Sequence, residues 1–293
     1  MNVVRRMSVA ISSAHQFIYV VSEGAEEAAK FGVVSDLPAG PAYFAFRAAA
    51  LGAVPWQVVL AVFYNFSPRA VRAMSGVWDA ATPEQWQDAR FAAVGRAMHR
   101  VGVPLTADEI AEARSLIDPV VAAADYAGKP LAAANTSVPL PADPLVALWQ
   151  QIAVLRECRG DAHFAVLAAS RVGPCECNVL HTATGRYPAE IARATRQWNE
   201  EEWAAAPARL VARGWLGADG AMTEFGAAER ERVEAETDEL CAPLWAPIGD
   251  DGALRLAALI KPIRDAFVAP GPPTAGHADH GRPYLQRPGP RDP

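Results

Sequence analysis

The chain has 293 residues, enough for one large core or two modest ones. It is 51% hydrophobic and 20% charged, which excludes a disordered chain, and its net charge of −6 argues against a surface built chiefly to grip phosphates. The four cysteines, Cys158, Cys175, Cys177 and Cys241, suggest no disulfide framework, so the expected compartment is a reducing cytoplasm.

The first segment, "MNVVRRMSVAISSAHQF", has too short an apolar run for a signal peptide. Behind it, His15 and Glu23 are spaced by eight, which would put both on one face of a helix. "AYFAFRAAALG" (42–52) carries Arg47 in an apolar setting, and "FYNFSP" carries Tyr64 and Asn65 in another. A buried Arg or Asn needs hydrogen-bonding partners, so all three are candidate ligand contacts. No charge occurs between Arg47 and Arg69, but Gly52, Pro55, Gln57, Asn65 and Ser67 make this a poor spanning helix. No membrane partner is expected. Ser67 and Thr82, each followed by Pro, are credible caps for two helices, "SPRAVRAMSGVW" and "TPEQWQDARFAAVGRAMHRVG".

Displaced by 120 residues, the chain meets itself. Phe44 falls on Phe164, Val59 on Val179, Pro68 on Pro188 and Trp78 on Trp198. At an offset of 117, Trp86 then meets Trp203, Arg96 meets Arg213 and Thr106 meets Thr223. Two tryptophan pairs in collinear order predict an internal duplication. The counterpart of the uncharged run contains Cys175, Glu176, Cys177, Asn178 and His181, so both copies read as buried helices.

In the second copy "RGDAHFAVLAAS" (159–170) reads as a helix start, with Asp161 a possible cap and Arg159 just before it. His163 stands where the first copy has Tyr43, and His181 where it has Ala61. Packing alone was met there by Tyr and Ala, so these departures point to function. Glu176 is placed to answer Arg159 or Arg47. "GPCECNVLH" offers a C-x-C with His181 but no second ligand pair, so no metal site is assigned. Asn199 is a likely cap for 199–216 with Glu in its first turn, "WLGADGAMT" (215–223) reads as a short β-hairpin turning at Asp219-Gly220, and Thr223 opens a long helix. The Pro/Gly-rich tail from about Pro270, which includes His277 and His280, is expected to be disordered.

Helix, helix, hairpin, helix is the order of a winged helix-turn-helix, and "RLVARGWLGADGAMTEFG" resembles the wing region of MarR-type regulators. Over roughly 14–250 the chain resembles an actinobacterial helix-turn-helix family, through "AYFAFRAAALG", "FYNFSP", "LRECRGDAHFA", "VLH", "RGWL", "MTEFG" and "VEAETDEL". It departs from that pattern in "ALG" after Arg47, where Pro would precede Leu-Gly. The expected fold is therefore mostly α: two fused, duplicated winged helix-turn-helix-like units with one short β-hairpin wing in the second. The expected domains are 1–130, degenerate and helical, 131–268, winged helix, and 269–293, the tail.

A winged helix reads DNA with the first turns of the helix before the wing. Here those turns read Asn199-Glu200-Glu201-Glu202 and, in the first copy, Thr82-Pro83-Glu84-Gln85. Carboxylates facing phosphates oppose binding. The sequence therefore points first to a small-molecule site at the seam of the two units, for sensing, sequestering or transforming a ligand. His163 and His181 are its candidate catalytic residues, and His15, Glu23, Arg47, Tyr64, Asn65, Arg159, Asp161 and Glu176 its candidate ligand contacts. A cofactor-independent enzyme of secondary metabolism with a His base is one alternative, and a DNA-binding regulator the other. No phosphate loop, dinucleotide fingerprint or H-E-x-x-H motif names a cofactor, and nothing sets the oligomeric state.

Overall fold

The structure, a computed structural model, describes residues 2–36, 40–185 and 187–268. The tail from 269 lies outside them. Helix α1 (Val3–His15) opens with Asn2 accepting from the Arg5 amide, and a 3-10 turn, Gln16–Tyr19, follows it. Then come α2 (Ser22–Ala29), α3 (Pro41–Ala48), α4 (Trp56–Val62), α5 (Pro68–Arg72) and α6 (Val77–Ala80). The long α7 (Pro83–Val101) and α8 (Ala107–Ala123) precede the short α9 (Pro130–Thr136) and the 26-residue α10 (Pro144–Ala169). The chain continues through α11 (Pro174–Thr182), α12 (Ala189–Arg196), α13 (Glu200–Ala212), α14 (Glu224–Cys241), a 3-10 turn Ala242–Trp245, and α15 (Gly249–Phe267).

The helix starts follow cap chemistry. Thr82 accepts from the Gln85 amide while Gln85 answers the Thr82 amide, and Asn199 and Glu202 repeat this box 117 residues later. Thr106 caps α8 from the Glu109 amide, and Thr223, again 117 residues on, caps α14 from the Gly226 amide. The expected helix over "SPRAVRAMSGVW" breaks in two, because Gly76 takes a left-handed φ of 94° between α5 and α6.

Three apolar clusters divide the interior. The first joins α1, the end of α7, α8, the first half of α10 and α15. The second gathers α3 to α6 with Trp86 and Leu131. The third packs the end of α10 against α11, α13 and Trp215. Helix α10 thus runs from the first cluster into the third. Every residue from Leu145 to Leu155 on it is buried, so it has no single apolar face. No single helix among the described residues is long and apolar enough to cross a membrane; the uncharged run breaks into segments bent by 87° at Gly52–Pro55.

The β-hairpin wing does not form: no strand exists among the described residues. Leu216 and Met222 make one isolated antiparallel bridge, and Asp219 closes a turn by accepting from the Ala221 amide. With helix α13 ending at Ala212 and α14 starting at Glu224, too few residues remain to extend a ladder beyond that pair. The fold-class expectation is therefore corrected to an all-helical chain with a tight turn where the wing was expected. The turn is held instead by α14, whose Thr223 hydroxyl donates to the carbonyl of Gly214 at 2.6 Å.

Gly226 makes this closure possible. A Cβ there would overlap the Trp215 carbonyl oxygen, a backbone atom with no room to yield. Gly226→Ala is therefore expected to lower stability by about 2 kcal/mol or more in urea unfolding, whereas Ala227→Gly, one residue along on an exposed position, should cost only about 1 kcal/mol.

Candidate functional site

The charged motif that looked like a helix start lies deep inside α10, whose own cap is Asp143, accepting from the Leu145 and Val146 amides. Asp161 consequently does not cap its own helix. It reaches across to α9 and accepts from the Leu131 and Ala132 amides, both at 3.0 Å. Burial pushes its carboxyl up to about 6 in spite of those donors. Arg159 turns to α14, donating to Asp238 and Glu234 at 2.7 Å each. His163, one turn further along the same face, follows it there and meets Thr237.

The expected pairing of His15 with Glu23 fails, because α1 ends at His15 and a 3-10 turn re-aims the chain before α2. Glu23 lies on α2 in an ion pair with Arg100 of α7 at 2.5 Å. His15 is buried and stacks flat on Trp149, ring centroids 4.6 Å apart. Burial, with Arg156, Arg90 and Arg47 near, holds its imidazole well below its ordinary range and so neutral.

Arg47 is buried, and its partner is Glu157, a residue the sequence reading did not single out. Nη2 of Arg47 lies 2.8 Å from both carboxylate oxygens of Glu157, and Nη1 donates to Tyr43 at 2.8 Å. The guanidinium also lies over the Phe63 ring, 4.3 Å from its centroid. Arg156 donates to the same Glu157 at 2.7 Å. Arg90, beside them, donates to Gln150 at 3.0 Å and to the Phe46 carbonyl. Three guanidinium groups thus gather around one carboxylate. Burial lowers Arg90 to about 10. Burial pushes the Glu157 carboxyl up, but Arg156 and Arg47 more than offset this and keep it below the usual carboxylate range.

Tyr64 and Asn65 turn out to be joints. Tyr64 donates to the Val172 carbonyl at 2.6 Å and stacks on Phe164, and the Asn65 carbonyl accepts from Asn178 and Trp198. Glu176 answers neither Arg159 nor Arg47. It accepts from the Gly173 amide at the start of α11 and from Arg209 of α13 at 2.6 Å.

The two histidines do come together. His163 on α10 and His181 on α11 line one pocket of about 410 Å³ with Leu167, Trp215, Arg230 and Glu234. The Thr237 hydroxyl donates to the Val233 carbonyl at 2.7 Å, so at 3.1 Å it must accept from His163. That fixes the Nδ1–H tautomer and leaves the Nε2 lone pair uncommitted to this contact. Burial lowers His163 from its ordinary value, which favours the neutral ring a base or acceptor requires.

Helices α12 and α13 are joined by a short turn, Gln197–Asn199, with Gln197 in the left-handed region at φ 55°. Two helices around such a turn are the unit from which helix-turn-helix proteins are built. A helix-turn-helix family model matches residues 4–272. The chain belongs to this helix-turn-helix family. No curated protein and no solved structure matches it.

On this helix-turn-helix chain the outward residues of α13 are Glu200, Glu201, Ala204, Ala205, Ala208, Arg209, Val211 and Ala212. The single cation among them, Arg209, is held by Glu176. The corresponding start of α7 exposes Glu84, Gln85 and Asp88.

Two outcomes follow for the α10 cluster. Arg47→Met should cost about 2 kcal/mol, since Glu157 keeps Arg156. Glu157→Leu should cost more, about 3–5 kcal/mol, since it strips the carboxylate from buried guanidinium groups; equal losses in urea unfolding would contradict the shared-carboxylate geometry. Asp161 is raised from its ordinary 3.8 to about 6. The folded chain therefore holds a proton that the unfolded chain releases, and stability falls as pH rises from 4 to 6. The contribution is up to about 3 kcal/mol. Comparing Asp161→Asn with the parent chain over that range should show the slope removed.

Proposed function

We propose that the protein binds a small molecule in the pocket between α10, α11 and α14, using a helix-turn-helix scaffold whose α13 is not built to read DNA. The observation that carries this is the meeting of His163 and His181, from separate helices, in one pocket beside Trp215, Arg230 and Glu234. A pocket that mixes one indole, two imidazoles, an arginine and a carboxylate suits a planar ligand with hydrogen-bonding groups at its edge. His163, with its Nδ1 proton engaged and Nε2 uncommitted to that contact, would accept a hydrogen bond from the ligand. The same ring could take a proton as a base, which is how a transforming role would arise.

The repeated capping at a 117-residue offset supports an origin of the two halves by duplication. On that reading the second copy has gained the two histidines at positions the first fills with Tyr43 and Ala61. The Glu-rich start of α13 and its alanine surface support the same division of labour, since neither offers donors to bases or phosphates.

Family membership favours a second reading, a regulator that contacts DNA. One set of measurements separates the two. Thermal melting against a library of aromatic and heteroaromatic metabolites should find a compound that raises Tm by about 5 °C or more at a hundredfold excess over Kd. His163→Ala and His181→Ala should each abolish that rise. If no compound shifts the parent chain, or both variants keep the shift, the pocket reading fails. Retardation of DNA fragments at low salt, lost steeply as salt rises, would establish the regulator instead. Turnover lost in His163→Ala would place the chain among enzymes.

A further inference from the structure

A second pocket, of about 290 Å³, lies at the other edge of α10, where that helix meets α1, the end of α14 and the 3-10 turn before α15. It contains neither histidine of the first pocket. Ser8 and Ser12 stand four residues apart on α1, so both hydroxyls belong to one helix face. Both line the pocket, opposite Arg156 and Arg159 of α10. Ile11, Leu244 and Trp245 supply an apolar wall.

The charge balance among these groups is uneven. Arg159 holds two carboxylates, Asp238 and Glu234, each at 2.7 Å. Arg156 has only a share in Glu157, whose two oxygens are both already engaged by Arg47. A guanidinium has five N–H donors, and the one contact to Glu157 uses one of them. Arg156 is also mostly withdrawn from water, with 20% of its side chain exposed. A half-buried cation with spare donors, two neighbouring hydroxyls and an apolar wall together match an anionic head with a hydrocarbon body.

We infer that this pocket binds a carboxylate bearing a short apolar body, its charge held by Arg156 with the Ser8 and Ser12 hydroxyls and its body laid against Ile11, Leu244 and Trp245. A carboxylate is favoured over a bare phosphate because the wall beyond the donors is apolar and would leave a fully charged tetrahedral anion without partners on that side. The ligand would supply the second carboxylate that the three-arginine cluster lacks.

Calorimetric titration of the full chain with octanoate, octan-1-ol and inorganic phosphate tests this. Octanoate should bind saturably, octanol at least about tenfold more weakly, and phosphate more weakly than octanoate. Arg156→Gln should weaken octanoate by at least about tenfold while leaving octanol nearly unchanged. No octanoate binding at millimolar concentration, equal affinity for octanol, tighter binding of phosphate, or unchanged affinity in Arg156→Gln would each overturn the inference. Should that variant lose its helical circular dichroism, the double variant Ser8→Ala/Ser12→Ala decides, since it leaves every ion pair in place. A several-fold loss supports the site and an unchanged Kd overturns it. His163→Ala must keep octanoate binding, so this result stands apart from the fate of the histidine pocket; loss in that variant would assign octanoate to the other pocket and overturn the site proposed here.

Discussion

The buried contact of Arg47 with Glu157 is the constraint around which the first half of the chain is arranged. Glu157 is supplied by α10, Arg47 by α3 and the neighbouring Arg90 by α7, so one carboxylate gathers three helices. Removing two charges from water is expensive, and the attraction recovers that cost only when the remaining donors are also occupied. Here Tyr43 takes the second nitrogen of Arg47, and Phe63 faces its plane. Arg90 in turn donates to Gln150, which donates to the Asn135 carbonyl of α9. Polar groups that would be liabilities singly become a network that fixes the registers of four helices.

Helix periodicity explains how α10 serves several neighbours at once. Glu157 and Asp161, four residues apart, share a face turned toward α3 and α9. Arg159 and His163, also four apart, share another turned toward α14. Arg156 and Arg159 border one pocket, and His163 and Leu167 border the other. "LRECRGDAHF" is thus one length of helix whose successive side chains are dealt out to different partners, which is why it carries so much charge within a buried element.

The sequence showed the caps plainly. Thr82, Thr106, Asn199 and Thr223 all begin helices, because a side-chain acceptor followed by a box partner is a local signal that needs no tertiary context. It showed too that Arg47 needed a partner, but not which one, since Glu157 lies 110 residues away. Helix α10 was misplaced for a different reason. Its first eleven residues after Pro144 are buried all round, so they lack the one-sided pattern by which helices are read, and the first polar cluster looked like a beginning. His15 and Glu23 failed because spacing by eight implies one face only if the helix continues, and here it stops. The wing failed because an Asp-Gly turn is necessary for a short hairpin but does not lengthen its ladder.

Membership in a helix-turn-helix family fixes the scaffold, while the side chains on it decide what that scaffold can hold. Helix α13 is packed and capped as such a helix must be, with Leu210 and Ala206 inward and Asn199 at its start. Its outer face, though, ends in alanines where a reader of bases would need long donors. The arginines that could have served are turned inward to structural work: Arg209 on Glu176, and Arg213 on the carbonyls of Ser170 and Arg171 at the end of α10. Recruiting either for phosphate contact would leave a buried carboxylate or the last carbonyls of α10 without a partner. Basic groups on α13 are therefore already committed to the fold, and binding chemistry has room only where side chains remain uncommitted, in the two pockets along α10.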